Sequence, residues 1–428
     1  MQTFLAAAGI LAHGGPGDAA AVGLLAQLGY DDGRAEAVSH RIAMLRAAAS
    51  FQRIFSVASP DAPGLTVLGA TADDETAVSG AGTTFQEAFE ACAGEGVEAL
   101  SRSVRPGQQV ARLAIDAALA DAAPDWRRMW EELAPYRRHP AAREGDWVRA
   151  VDLSDGRGVW VPADLCLRRP SPARQIDPPW PLSTGCAAAP DRASATLAGL
   201  LELIERDAVA LWWRGGRRAR LLAPNAAAQL AAAALLGRLR GDAAGRHTWL
   251  LDITSDLAVP AIAAVSCDPD GLGVCCGMAA RPTLAAAASR AVVELCQMEA
   301  AVRLAQAKQE AGGEAALTAT DRRHLYRFTR LRVADCAALH PRAPPAPPCD
   351  IAAARPVGAL GAVRARLATA GLAPCAVDLT DDTFAIPVVR VMCPGLQPDP
   401  SAPPTARLRA AIAAAGDAPA AWADVSVL

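Results

Sequence analysis

The sequence predicts a mixed α/β (α+β) fold in which three similar strand- or loop-to-helix units surround one site. Segments of helical and strand-like pattern alternate through all 428 residues, which suits neither an all-α nor an all-β chain. Three segments also share one layout: GAGTTFQEAFEACAGEGVEAL (80–100), GCAAAPDRASATLAGLLELIERDA (185–208) and GMAARPTLAAAASRAVVELCQMEA (277–300). Each opens on glycine and small residues, continues as an Ala-rich helix and ends in a polar pair. With 52% hydrophobic and 20% charged residues, there is material for a large core and no compositional case for disorder.

In chain order, residues 1–50 read as an N-terminal segment of two or three short helices. Residues 56–84 punctuate short apolar runs such as LTVLGA with proline and glycine, as strands and turns do. DWVRAVDLSDGRGVWVPADL (146–165) is a hairpin with SDGRG as its turn. Residues 183–214 and 277–310 are long helical segments. HTWLLDIT, VPAIAAVSCDP and GLGVCCGMAA between them read as strands. RAPPAPP (342–348) is a surface linker, and APCAVDLT and IPVVRVMCPGL are buried strands. The main domain spans 51–400, and 401–428 form a Pro/Ala-rich tail.

Charge and residue counts exclude several functions. A net charge of −3 argues against a general nucleic-acid binder. Of the 42 basic residues, Lys308 is the one lysine, and no glycine-rich loop precedes it, so the chain has no P-loop and little scope for Schiff-base chemistry. No charge-free apolar stretch reaches the ~18 residues a membrane helix needs, and no basic residue precedes the first apolar run. The 11 cysteines are odd in number and form no CxxC, which fits free thiols in a reducing cytoplasm. The six histidines show no zinc spacing.

The three polar pairs are Glu95/Glu98, Glu202/Glu205 and Glu294/Gln297. Residues three apart share one helix face, so each pair can address one target. The helices around them are apolar, and buried carboxylates need a cation. Magnesium fits, being held by carboxylates together with phosphate oxygens. Arg206 and Arg290 lie where guanidinium groups would meet phosphate.

STGCAAAPDRASATLAGLLELIERDAVALWW resembles the signature of the YcaO family. SGAGTTFQEAFEACAGEGVEALS is similar to that family's first nucleotide-site motif, SRAVVELCQ to its third, and VDLTDDTFAIPVVRVMCPGL to its late strands. The resemblance covers roughly residues 50–400 and implies ATP- and Mg2+-dependent activation of a peptide amide on a fold without a Walker loop. It implies Mg2+ at Glu95, Glu98, Glu202, Glu205 and Glu294. It implies nucleotide contacts from Ser79, Ser183, Arg206, Arg290 and Gln297. The family's arginine after the first Glu-x-x-Glu is Ala99 here, and Arg102 is the candidate to replace it. The family's Gly-Lys-Gly reads Gly80-Ala81-Gly82, its second-motif asparagine is Thr184, and the chain ends DVSVL where many members carry PxPxP.

The function so implied is an azoline-forming cyclodehydratase of a ribosomally made precursor peptide. Thioamide or amidine formation, or a non-catalytic ATP-binding accessory role, are the alternatives. The catalytic base is unassigned. Expected partners are the precursor, a leader-binding or ThiF-like protein, a flavin dehydrogenase and a second copy of the chain, in the cytoplasm, with no nucleic acid or membrane. Asp321 and His324 read as a surface helix before an acid–base pair, and Trp212-Trp213 as core. The arginines of RGGRRAR (214–220) fit either an acidic leader or a solvated turn.

Overall fold

Antiparallel pairing organises the chain into three sheets. The structure is a computed structural model describing residues 35–427, apart from 74–75, 106–109, 121, 244, 348, 354, 417–424 and 426. Most of the helical reading for residues 1–50 lies outside the described residues. What is described there is α1 (Ala35–Ala49).

The elements follow as β1 (Arg53–Val57), β2 (Thr66–Asp73), β3 (Thr76–Gly82), α2 (Phe85–Ser101), β4 (Ala111–Ala114), α3 (Ile115–Ala118) and α4 (Pro124–Glu132). Next come the hairpin β5 (Glu144–Asp152) and β6 (Gly158–Pro162), then β7 (Cys186–Ala188), α5 (Arg192–Trp213), β8 (Arg220–Leu221) and α6 (Ala227–Arg240). The chain continues through β9 (His247–Asp252), β10 (Ala261–Cys267), β11 (Cys275–Ala280), α7 (Leu284–Gly312), α8 (Ala319–Arg330) and α9 (Pro356–Thr369). It closes with β12 (Cys375–Asp378), β13 (Val388–Met392) and α10 (Ala406–Ala415). The sheets run β1-β2-β3, β11-β10-β9-β8 and β4-β5-β12-β13-β7, with β6 paired to β5.

The two long helical readings need correction at their starts. Residues 186–188 and 275–280 are strands, and the helices begin at Arg192 and Leu284. The alanines there have good helix propensity, but pairing with β13 and β10 overrides it. Each site helix starts at a side-chain cap: Thr84 accepts Glu87 N–H at 3.2 Å, Asp191 accepts Ser194 N–H at 2.9 Å, and Thr283 accepts Ala286 N–H at 3.2 Å.

Glycine lets strand and helix approach closely. A Cβ on Gly80 would lie 2.5 Å from the Ala88 carbonyl of α2, and one on Gly277 would lie 2.5 Å from the Ala291 carbonyl of α7. This proximity lets short glutamate side chains reach strand backbone.

Several smaller readings find their place. Trp212 and Trp213 are buried, and Trp213 Nε1 donates to the Val425 carbonyl at 2.8 Å. Asp321 caps α8 together with Thr318 and pairs with Lys308 at 2.9 Å, while burial and the neighbouring Arg327 hold His324 down at about 4. That is a structural helix start. Arg214 donates to the Ala402 carbonyl at 2.7 Å, and Arg217 and Arg220 face Asp256 and Asp252 at 3.4 and 3.8 Å, which leaves little of that cluster for a leader. All 11 cysteines are free, and all but Cys349 are buried. No described helix is long and apolar enough to cross a membrane.

Candidate functional site

The glutamates of α2 and α5 each meet strand or turn backbone, in a repeating order that Gln297 of α7 completes through a side chain. The first glutamate of a helix closes on its own unit: Glu95 accepts Ser79 N–H of β3 at 3.2 Å, and Glu202 accepts Gly185 N–H, just before β7, at 3.0 Å. The second reaches the next unit. Glu98 accepts Ala188 N–H of β7 at 2.9 Å, and Glu205 accepts Ala280 N–H of β11 at 3.1 Å. Gln297, the matching residue of α7, donates from Nε2 to Ser79 Oγ at 3.0 Å. The circle is then closed: α2 to β7, α5 to β11, α7 to β3.

Charge in the cleft is unbalanced. Glu95 is open to water on one side, yet protein on its other sides displaces bulk solvent. This desolvation pushes its carboxyl up to about 7, against the pull of Ser79 N–H and Arg290 and with repulsion from Glu294 and Glu202. Desolvation raises Glu98 to about 8, with Ala188 N–H opposing and the Glu95 and Glu202 charges adding to it. Glu205 rises to about 8 through burial and the charge of Glu294, with Arg281 and Arg206 opposing. Burial raises Glu294 too, against Arg290, Arg281 and Arg206. The guanidinium groups nearby do not offset this desolvation, and an added cation would favour the charged carboxylates.

The donor set suits magnesium with phosphate. Among the described residues, no three His, Cys, Asp or Glu side chains form a ready cage for one ion. Mg2+ in nucleotide sites takes one or two carboxylates and completes its shell with phosphate oxygens and water, so it needs no such cage. Arg206 pairs with Glu202 at 3.1 Å and Asp399 at 3.3 Å, which holds its guanidinium at the cleft. Arg290 lies near enough for its charge to act on both Glu95 and Glu294. Ser183 stands exposed in the turn before Gly185, its carbonyl accepting Cys186 N–H at 2.8 Å.

Three residues here escaped sequence reading. Arg281, directly after β11, acts on Glu205 and Glu294. Asp399 steadies Arg206, and Arg390 on β13 lies buried where its charge and that of Glu202 interact. The position of Arg281 at the end of the third small-residue opening was the available signal.

A family model described as YcaO cyclodehydratase, ATP- and Mg2+-binding, matches residues 79–397. The chain belongs to the YcaO family. ATP and Mg2+ are accordingly its cofactors. Solved structures agree on the fold. One, a heterocyclase in complex with substrate and cofactor, superposes with a TM-score of 0.65 at 22% identity over 84% of this chain and 52% of that one. The YcaO protein from Methanopyrus kandleri bound with AMPPCP and Mg2+ gives 0.58 at 23% identity, covering 84% of this chain and 89% of that one. The E. coli microcin synthetase McbBCD complex with pro-MccB17 bound gives 0.59 at 14% identity, covering 80% and 88%. The chain spans about half the length of the first of these heterocyclases. No protein of curated function matches.

This YcaO member lacks the arginine after Glu98, and the structure shows what stands nearby. Ala99 is buried at 2% exposure, so an arginine placed there must displace its neighbours. Arg102 at the α2 C-cap sits where its charge acts on Glu98 and on the Cys186 thiol. Arg102→Ala is expected to weaken ATP·Mg2+ binding or turnover by roughly ten- to a hundredfold, the cost of one charge-assisted contact. Titration calorimetry with AMPPCP and Mg2+ checks this. Unchanged affinity would reduce Arg102 to a helix cap.

Proposed function

We propose that this YcaO protein is an ATP-dependent cyclodehydratase that forms thiazoline or oxazoline rings in a ribosomally made precursor peptide. The observation that supports it most is the closed circle of Glu95, Glu98, Glu202, Glu205 and Gln297, each tied to strand backbone or to a side chain on it. A Cys, Ser or Thr side chain of the precursor adds to the carbonyl carbon of the preceding amide. The side-chain X–H proton is lost on addition, the former carbonyl oxygen accepts the γ-phosphoryl group, and as its C–O bond breaks to release phosphate the amide nitrogen gives up its proton and the C=N bond of the ring forms. One ring forms, and ATP becomes ADP and phosphate.

When bound, Mg2+ neutralises the phosphate oxygens during that transfer. On this reading, Glu95, Glu98, Glu202, Glu205 and Glu294 hold the metal, while Arg206, Arg290 and Arg102 meet nucleotide phosphates. Ser79, Ser183 and Gln297 complete the nucleotide contacts. The bonds from strand and turn N–H groups fix Glu95, Glu98, Glu202 and Glu205 before substrate arrives, so little reorganisation of these four remains for the reaction itself. A separate protein delivers the precursor, a role for which the likeness to a synthetase complex with bound pro-peptide is the support.

The test is incubation of the purified chain with ATP, Mg2+ and the peptide encoded beside its gene, with and without the neighbouring partner protein. The expected result is peptide-dependent phosphate release and loss of one water per ring, strongest with the partner. Exchange of oxygen for sulfur would assign a thioamide synthetase instead. Peptide-independent hydrolysis without any peptide mass change would leave an accessory protein.

A further inference from the structure

Four of the nine residues 397–405 (QPDPSAPPT) are proline, so this stretch has few N–H groups with which to close a turn of its own. The Gln397 side chain closes it instead. Its Nε2 donates to the carbonyls of Asp399, Ala402 and Pro403 at 2.8, 3.2 and 3.2 Å, and its Oε1 accepts Thr405 N–H at 2.8 Å. Within the turn, Asp399 accepts Ser401 N–H at 2.8 Å and the Ser401 hydroxyl on the same oxygen. Gln397 is fully buried, so its amide has no bulk water to take in exchange for these partners, and the turn behaves as one rigid piece.

The helix α5 holds this piece at three points. Asp207, fully buried, accepts Gln397 N–H at 3.0 Å and Arg407 Nε of α10 at 2.9 Å. Arg407 is itself oriented by Asp256, which its Nη1 meets at 2.8 Å. Arg214, at the end of α5, donates to the Pro400 and Ala402 carbonyls at 2.5 and 2.7 Å. The third point is Arg206, whose Nη1 meets Asp399 at 3.3 Å while its Nε meets Glu202 at 3.2 Å. Two carboxylates on different edges fix the plane of the guanidinium. The Arg206 side chain nonetheless keeps 21% exposure, so a phosphate group can reach it.

Resting on the reading of Arg206 as a phosphate contact, we propose that Asp207, Gln397 and Arg407 are positioning residues for nucleotide binding: they hold the 397–405 turn so that Asp399 aims the Arg206 guanidinium before ATP arrives. Glu202 by itself leaves the Nη1 end of that guanidinium free to swing. A long side chain that must be ordered on binding weakens binding by the rotamers it gives up. Here the fold has already ordered it. Asp207 follows Arg206 directly, so the group that meets phosphate and the group that clamps its support belong to one turn of helix.

The test is a double-mutant cycle read by titration calorimetry with AMPPCP and Mg2+, with folding of each variant checked by near-ultraviolet circular dichroism. Arg407→Ala takes from Asp207 its cation. Gln397→Leu opens the turn without baring a charge, and it carries the test if Arg407→Ala does not fold. Each should weaken AMPPCP·Mg2+ binding by about fivefold or more in the wild-type background. In the Arg206→Ala background each should weaken it by less than about twofold, because no guanidinium is left to position. A purely structural role would give the same loss in both backgrounds, and that result overturns the proposal. So does wild-type affinity in both variants when Arg206→Ala alone binds weakly. Wild-type affinity in Arg206→Ala would instead remove the phosphate-contact reading, and the proposal with it.

Discussion

Glu205→Gln should lower ATP turnover by about a hundredfold or more while raising the melting temperature of the ligand-free protein. The two effects have one cause. Glu205 is fully enclosed, feels Glu294 and Glu202, and is pushed up to about 8. A carboxyl whose folded value exceeds its unfolded one costs nothing at low pH and destabilises progressively as pH rises toward that folded value. Glutamine keeps the acceptor for Ala280 N–H and removes the charge, so the ligand-free fold gains about 1–3 kcal/mol near pH 8. On the proposed metal site, the same neutrality deprives Mg2+ of an anionic oxygen. Wild type should also release protons on binding AMPPCP·Mg2+ near pH 7, and the variant fewer. Near-native turnover in Glu205→Gln would remove this residue from the metal site.

Glu299→Ala should cost about 3–5 kcal/mol of stability, more than any change in the cleft, because it strands buried charges. Glu299 on α7 accepts Arg240 Nη1 and Nη2 at 3.1 and 2.8 Å, Arg246 Nε at 3.0 Å and Ser266 Oγ at 2.5 Å. Both guanidinium groups are almost fully enclosed. Without the carboxylate, no bulk water replaces it. Replacing Arg240, Arg246 and Glu299 together by apolar residues of similar volume should recover much of the loss. Urea midpoints compare the three proteins. A shift worth less than about 1 kcal/mol in Glu299→Ala would mean that other acceptors take over.

The repeating part of the site could be read in one dimension. Glycine, small residues, an Ala-rich helix and a polar pair at i, i+3 recur at nearly fixed spacing, and the structure brings all three pairs together. What could not be read joins residues distant in sequence. Arg390 and Asp399 come to Glu202 and Arg206 through β13 and the turn after it. Glu299 meets Arg240 across 59 positions and Arg246 across 53. The strand at 186–188 was hidden, and that at 275–280 was read as strand yet overlapped by a helical reading from 277, because alanine and glycine runs announce neither state until a neighbouring strand is known. Thr184 was visible as a departure from the family motif. Its hydroxyl, unpartnered among the described residues, was not.

The circular linkage of the three units has a consequence for synthesis in the cell. Ser79, near the start of the matched region, needs Gln297, more than two hundred positions later, to complete its hydrogen bond. A ribosome-bound or truncated chain that has not yet delivered α7 holds two pairs of like-charged carboxylates and no Arg290, Glu294 or Gln297 to balance or complete them. On the proposed assignment of these residues, such a fragment would have no competent place for triphosphate. Energy expenditure would then be coupled to completion of the polypeptide: an unfinished copy would consume no ATP, and a finished one would gain the ability to bind it.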